Sequence, residues 1–211
     1  DKVGRTVKYH ATKVEYSVAM PLDPMHGTVG VAPGGFEARA TITPDAHGGN
    51  MDTPEIRKGS TVYFGVNHEG ALLALGDGHC RQGQGEVIGT AVEAAMNTVI
   101  AVDVIKGNFT PWPRIENDHS IMSTGSTRPL EDAYRISQHD LVNWIATDSK
   151  LDILDSLQLV SQAGTAPVGN VVDPNYTFVS MIEKKYLPVQ SVMGGSHEKL
   201  RSIAQEYRKG K

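Results

Sequence analysis

The chain has 211 residues, 39% of them hydrophobic and 21% charged, with a net charge of -4 at pH 7. This is an ordinary globular composition, long enough to bury a real core, and its acidic balance argues against nucleic acid or an anionic membrane as the main partner. No apolar run reaches the ~18 residues that cross a bilayer, and the single cysteine, Cys80, excludes an internal disulfide and a cysteine-based zinc site.

Residues 5–20 mix β-branched and polar residues with partial alternation, which predicts one strand or a hairpin. Prolines and glycines punctuate the next segment, with "GTVGVAP" (27–33) as a short buried strand inside it. Residues 37–60, with "PDAHGGNMDTP", predict a long loop, and loops of that length are more often functional than idle. Apolar β-type runs follow at 60–66, 70–76, 86–96 and 97–105, with 67–70 as a tight connection between the first two. "HSIMSTG" (119–125) predicts a further strand.

The pattern changes after Gly125. Pro129 with Glu131 and Asp132 suits a helix start, and Leu130, Tyr134, Leu141, Trp144 and Ile145 recur at helical spacing. A second helix is expected from Ser149, with Asp152 three residues on as a capping pair and Gly164 as the stop. "YTFVSMIEKKYL" (176–187) predicts a strand, and Leu200, Ile203, Ala204 and Tyr207 an amphipathic C-terminal helix. The expectation is a single α+β domain over 1–211, β-rich over 1–125 and helix-containing over 126–211.

The chemistry concentrates in Gly76–Glu93, "GDGHCRQGQGEVIGTAVE". In an extended segment Asp77 and His79 point to one face, a workable pair of ligands for a divalent cation. The surrounding glycines permit close backbone approach. Glu86 opens the following apolar run, where a carboxylate would ligate a metal or take a proton from bound water. Glu93 lies among apolar and small residues and, if buried, needs a partner. The plainer alternative is that Asp77-x-His79 is a solvated turn. In "HGGNMD" (47–52), Asn50 reads donors and acceptors of an amide and Asp52 takes a metal or a positive partner, or the two simply close an Asx-type turn. Cys80 has no accompanying base and reads as structural. No nucleophile elbow, phosphate loop, dinucleotide fingerprint or His-Glu-x-x-His is present.

Several stretches, in order, resemble the acetamidase/formamidase family: "PMHGTVGVAP" (24–33), "GGNMD" (48–52), "KGSTVYFGV" (58–66), "GALLALGDGHCRQGQGEVIGTAVE" (70–93) and, more loosely, "ISQHDLVNWI" (136–145) and "VVDPNYTFVSMIEKKYL" (171–187). The resemblance implies hydrolysis of short amides such as formamide or acetamide to the carboxylate and ammonia. Its alternatives are a cyclic-amide (lactam) hydrolase and a non-catalytic small-ligand-binding relative. It implies a β-sandwich-rich α+β fold, usually oligomeric, which agrees with the helical hairpin, strand and C-terminal helix expected from the residues after the β-rich first part. It also implies a divalent cation, zinc first and calcium as the alternative, on Asp77 and His79 with Asp52 as a third ligand. Glu86 becomes base or ligand, Glu93 a catalytic acid or a group behind the ligands, and Asn50 and Gln82 substrate contacts.

The chain departs from the family pattern in two respects. Gln84 stands where the family resembles an aspartate, and the chain corresponds to the C-terminal two-thirds of the family. It opens on Asp1 without a visible signal peptide. The expected partners are a small amide substrate and either further copies of this chain or a separate N-terminal fragment. No nucleic acid or membrane is expected, and the expected location is cytoplasmic.

Overall fold

The computed structural model describes residues 5–210. Ten strands and three α-helices are distributed over three antiparallel sheets. The chain begins with the hairpin β1 (Thr6–His10) and β2 (Ser17–Pro21), which pair in register from Thr6 opposite Pro21 to His10 opposite Ser17. A three-stranded sheet follows, ordered β4 (Gly48–Asn50), β3 (Met25–Gly30), β6 (Ala74–His79). The largest sheet has the order β5 (Thr61–Tyr63), β7 (Arg114–Glu116), β8 (Ser120–Thr127), β10 (Tyr176–Glu183), β9 (Val168–Asn170), and so draws strands from both sequence halves.

The helices cover one face of the large sheet. α1 (Leu130–Ser149) packs on β8 and β10, and α2 (Ile153–Ala163) packs on α1. The buried stripe of α1 is Ala133, Ser137, Asp140, Leu141, Trp144 and Ile145, one turn-spaced face. That stripe can lie this close only because β8 carries Gly125: a Cβ there would meet the Ala133 carbonyl at 2.3 Å. Tyr63, Ile121, Leu141, Trp144, Ile145, Val160 and Ile182 form the larger core, and Met51, Ile56, Ile115, Met122 and Val179 a second core. α3 (Ser196–Lys209) closes the chain. Among the described residues no helix is long and apolar enough to cross a membrane.

The α+β architecture, the N-terminal hairpin, the strand at 119–125 and the C-terminal helix all appear where the sequence predicts them. Other expectations are corrected. The runs 86–96 and 97–105 form no strand: the first meets β6 only through one antiparallel bridge, Glu93 opposite His79, the second joins no sheet among the described residues, and Glu93 is half exposed. Residues 67–70 do not link paired strands, because β5 pairs with β7 and β6 pairs with β3. Ala71 and Leu72 take left-handed backbone, which delays β6 to Ala74. Ser149 ends α1 instead of starting α2; Asp152 is the cap itself, accepting the Leu154 amide at 2.8 Å. Tyr134 lies off the buried stripe and packs edge-on against Phe178. Three three-residue strands, β4, β7 and β9, have no sequence signal of their own; β4 lies within the predicted loop.

Candidate active site

The site is built on the three-stranded sheet. Pairing of β3 with β6 sets Met25 opposite His79 and His26 opposite Gly78. Between them Gly27 lets two carboxylates press against its backbone: a Cβ there would meet Asp52 Oδ1 at 2.3 Å and Asp77 Oδ2 at 2.4 Å. Only glycine fits. β4 delivers Asn50 beside Thr28, and the chain then turns through Met51 into Asp52, whose amide donates to the Gly27 carbonyl at 3.1 Å. Asp52, Asp77 and Glu86 all have left-handed backbone, with φ of 44°, 57° and 45°. Such a conformation is uncommon for residues other than glycine and marks places where the side chain is aimed at some local cost.

Glu86 sits at the end of a turn that β9 pins. The Gly85 amide donates to the carbonyls of Val168 and Gly169, and the Val171 amide donates back to the Gly85 carbonyl at 3.0 Å. Gln84 reinforces the same seam: its Oε1 accepts the Val168 amide at 2.7 Å and its Nε2 donates to Glu55 Oε1 at 3.3 Å. Both ends of the Gln84 amide are thus engaged away from His79.

His79 is the hub, buried to 1% exposure. Its Nε2 lies 3.1 Å from Asp77 Oδ1, 3.2 Å from Glu93 Oε2 and 3.9 Å from Glu86 Oε1. Its Nδ1 lies 2.9 Å from Gln82 Oε1. The amide nitrogen of Gln82 donates to two main-chain carbonyls, those of Asp52 and Gly169. A carbonyl accepts and never donates, so the Gln82 amide has one orientation, and its Oε1 must receive a proton from Nδ1. The other ring nitrogen is thereby left to face the carboxylates.

A fifth carboxylate, Asp173, completes the cluster. Asn50 Nδ2 donates to Asp52 Oδ2 at 2.7 Å and to Asp173 Oδ2 at 2.8 Å, while Thr28 Oγ1 bonds Asn50 Oδ1 and lies 3.3 Å from Asp77 Oδ2. Asp173 follows β9 in "VVDPNY", where Asp-Pro reads as a turn; its burial at 5% is what marks it out.

These geometries stand beside three kinds of similarity. The family model for the acetamidase/formamidase family matches residues 13–165, most of the chain. The chain belongs to the acetamidase/formamidase family. It is 35% identical to the acetamidase of Mycolicibacterium smegmatis over 91 residues, 43% of this chain and 22% of that protein. It is 42% identical to the formamidase of Methylophilus methylotrophus over 71 residues, 33% of this chain and 17% of that protein. Among solved structures, the acetamidase from Yersinia enterocolitica superimposes with a TM-score of 0.80 at 46% identity, covering 82% of this chain and 52% of that chain. The acetamidase from Bacillus halodurans superimposes with a TM-score of 0.74 at 35% identity, covering 82% and 59%. The chain therefore spans about half the length of its structural relatives in the family.

Burial and like charge act together on this family member's acids. Asp52 is pushed up to about 9, first by burial and then by the charges of Glu86 and Asp173. Glu86 is also raised, mainly by burial, with Asp173 and Asp77 adding to the shift and His79 opposing it. Burial raises Asp173 as well. Asp52 Oδ1 is buried without a hydrogen-bond partner, which costs about 1–3 kcal/mol unless something is bound there. Asp52, His79 and Glu86 bring one ligand atom each within 4.8 Å of one another, and so do Asp77, His79 and Glu93. The unpartnered oxygen, the convergence of Asp52 and Asp77 over Gly27 and the mutual repulsion all fit a cation, whose charge reverses the penalty on these acids. Since Nδ1 is held by Gln82, the two triads compete for a single Nε2.

The structure brings together Asp52, Asp77, His79, Glu86 and Glu93, with Asn50 beside Asp52. Gln82, expected to contact substrate, lies behind His79, with its nitrogen donating to two carbonyls and its oxygen facing Nδ1. Asp173 and Thr28 belong to the same cluster and were not expected.

Proposed function

We propose that this chain forms the catalytic part of an enzyme that hydrolyses short linear amides, such as formamide or acetamide, to the carboxylate and ammonia. Family membership supports the reaction class. The observation that carries the reading for this chain is the buried Asp52–His79–Glu86 triad with an unpartnered oxygen pressed against Gly27. Asp52 and His79 would hold a divalent cation, with Glu86 beside them left to move protons. Asp77 and Glu93 lie on the more open side, with 31% and 50% of their side chains exposed. An imidazole among carboxylates suits a zinc-class ion better than calcium, whose ligands are oxygens. A bound divalent ion supplies polarisation of the amide carbonyl and a water acidified to a pKa of about 7.

The protein's own residues manage orientation and protons. Asn50 fixes the direction of both Asp52 and Asp173 through one amide nitrogen, and Gln82 fixes His79. Glu86, made more basic by burial, accepts the proton of the attacking water as the C–O bond forms. It then returns that proton to the amide nitrogen as the C–N bond breaks, releasing ammonia. The chain spans about half the length of its structural relatives, and the reading is of the unit that carries the rest of the family fold as well.

Ammonia release from formamide and acetamide by the complete assembly is the direct test. The expected result is loss of release on chelation, recovery with added zinc, and a drop of about 10²–10⁴ in kcat for Glu86→Gln. Release indifferent to both chelator and substitution would sink the proposal.

A further inference from the structure

Glu93 reaches His79 from a stretch of chain that forms no strand, so its place depends on a few discrete attachments. Residues 92–94 follow the outer edge of β6, the end strand of its sheet. The Cys80 amide donates to the Val92 carbonyl at 2.7 Å, the Val92 amide to that of Arg81 at 3.1 Å and the Ala94 amide to that of Gly78 at 2.7 Å. Glu93 Oε1 accepts the Ala91 amide at 3.0 Å, and Oε2 faces His79 Nε2 at 3.2 Å. The side chain is half exposed, so its position is set by the backbone that carries it rather than by packing around it.

The chain then crosses β6 at Gly78. A Cβ there would meet the Ala94 carbonyl oxygen and Met96 Cγ, each at 2.7 Å, so the crossing needs glycine. Gly78 lies opposite His26 in the β3–β6 pairing. Residues directly opposite in an antiparallel pair share a face, whereas Asp77 and His79, which flank Gly78, project from the other. His26 meets the crossing chain on that far face. Its Nδ1 lies 3.0 Å from the Gly76 carbonyl and its Nε2 2.8 Å from Thr98 Oγ1. A carbonyl only accepts, so Nδ1 carries the proton, and Nε2 of the neutral ring accepts the Thr98 hydroxyl. One imidazole thus ties Thr98 back to the strand whose edge holds residues 92–94.

We infer that His26 is a positioning residue for Glu93: through Thr98 it pins the far end of segment 92–98 from the opposite face of the sheet and keeps Glu93 at His79. There, on the more open side of the cluster, the Glu93 carboxylate can accept an N–H of an entering amide. Without the pin the segment is held by edge bonds alone and opens as a short unsupported strand does. The inference rests on the amidase reading for its effect on rate only; the placement of Glu93 stands on geometry.

Thr98→Val removes the hydroxyl and keeps the shape, Thr98→Ser restores the hydroxyl, and His26→Asn keeps an N–H near the Gly76 carbonyl but does not reach Thr98. Amide hydrogen exchange, the 15N resonances of the His79 ring and ammonia release from formamide are compared across these variants. Losing one hydrogen bond should speed exchange at Ala94 by about three- to tenfold in Thr98→Val and His26→Asn, with the β3–β4 ladder unchanged. The His79 Nε2 resonance should move towards its position in Glu93→Gln. The kcat/KM for formamide should fall by a similar factor, with no further fall when Thr98→Val is added to Glu93→Gln, and Thr98→Ser should restore all three readouts. Unchanged exchange at Ala94, equal acceleration throughout the three-stranded sheet, or a loss of rate that persists undiminished in the Glu93→Gln background would each overturn the inference. If no form releases ammonia, the amidase reading falls; faster exchange at Ala94 with the His79 shift then still supports the pin, and their absence overturns it.

Discussion

The five-stranded sheet and the three-stranded sheet treat buried polar groups in opposite ways. In the larger sheet every buried charge is neutralised by a dedicated partner. Arg114 donates to both oxygens of Asp140 at 2.8 Å, and Ser123 donates to the same carboxylate at 2.6 Å. Lys184 and the Tyr63 hydroxyl share Glu116. Ser137 meets Ser180 at 2.7 Å. In the smaller sheet, buried acids face other acids, one oxygen has no partner, and three of the acids stand on left-handed backbone. The first region is arranged for stability and the second holds unfavourable charge that a ligand would relieve. Removing a carboxylate should therefore have opposite signs in the two places.

The largest effect belongs to the paired region. Asp140→Ala leaves Arg114 buried and uncompensated, which costs about 3–5 kcal/mol. For a chain of this size that is roughly 6–20 °C in Tm. Thermal unfolding followed by circular dichroism checks it. A shift below 2 °C would mean that Arg114 reaches solvent and that the contrast between the sheets is overstated.

Next is Gln82, which acts through His79. Gln82→Met keeps the volume but removes the acceptor for Nδ1–H and both donors to backbone carbonyls. Loss of such an orienting partner typically costs 10–100-fold in metal affinity. Zinc titration by calorimetry reads the affinity, and 15N shifts of His79 read which ring nitrogen carries the proton. A structural role alone would lower stability and leave the tautomer in place.

The sign reversal comes with Asp52. Its folded pKa of about 9 lies far above the ~3.9 of an unfolded aspartate. Between those values the folded state binds more protons than the unfolded, so this group's contribution is fully present below about pH 4 and is lost as pH rises towards 9. Asp52→Asn mimics the neutral form at every pH. In chelator it should be more stable than the parent by ~1 kcal/mol or more at pH 8, about 2–4 °C, with the gap closing by pH 4. Denaturant midpoints across that range measure it. A gap that is constant with pH would show that Asp52 is ionised in the metal-free fold.

The contrast between the sheets also explains what sequence alone could reveal. Regularly paired elements announce themselves: "HSIMSTG" and "YTFVSMIE" become the adjacent central strands β8 and β10, and Glu131 and Asp132 mark the start of α1. Three-residue strands such as "RIE" and "VGN" are too short to carry a periodicity and exist only because β8 and β10 offer them an edge. The runs 86–96 and 97–105 mislead because composition records a propensity to pair without saying where the partner strand comes from. At the site, Asp77, His79 and Glu86 stand out against their glycines. Asp173 does not, because an acid before proline looks like a turn and its burial depends on Asn50, 123 residues away. Gln82 sits in the most conspicuous stretch of the chain. Its orientation depends on the carbonyls of Asp52 and Gly169, which no local pattern brings together.

The smallest expected effect concerns Gln84, which stands where the resemblance leads one to expect an aspartate. An aspartate there would be shorter by one methylene and would give up the bonds to the Val168 amide and to Glu55. It would also set a new negative charge near Glu55, whose pKa burial already raises and whose Oε2 lacks a partner. Gln84→Asp should therefore cost about 1 kcal/mol of stability and change zinc affinity by less than about threefold, since neither end of the amide reaches His79. Calorimetric titration beside a thermal melt separates the two outcomes. A tenfold gain in affinity would place position 84 among the groups that hold the ion, and would extend the strained, ligand-ready region across the β9 seam that here behaves as ordinary paired structure.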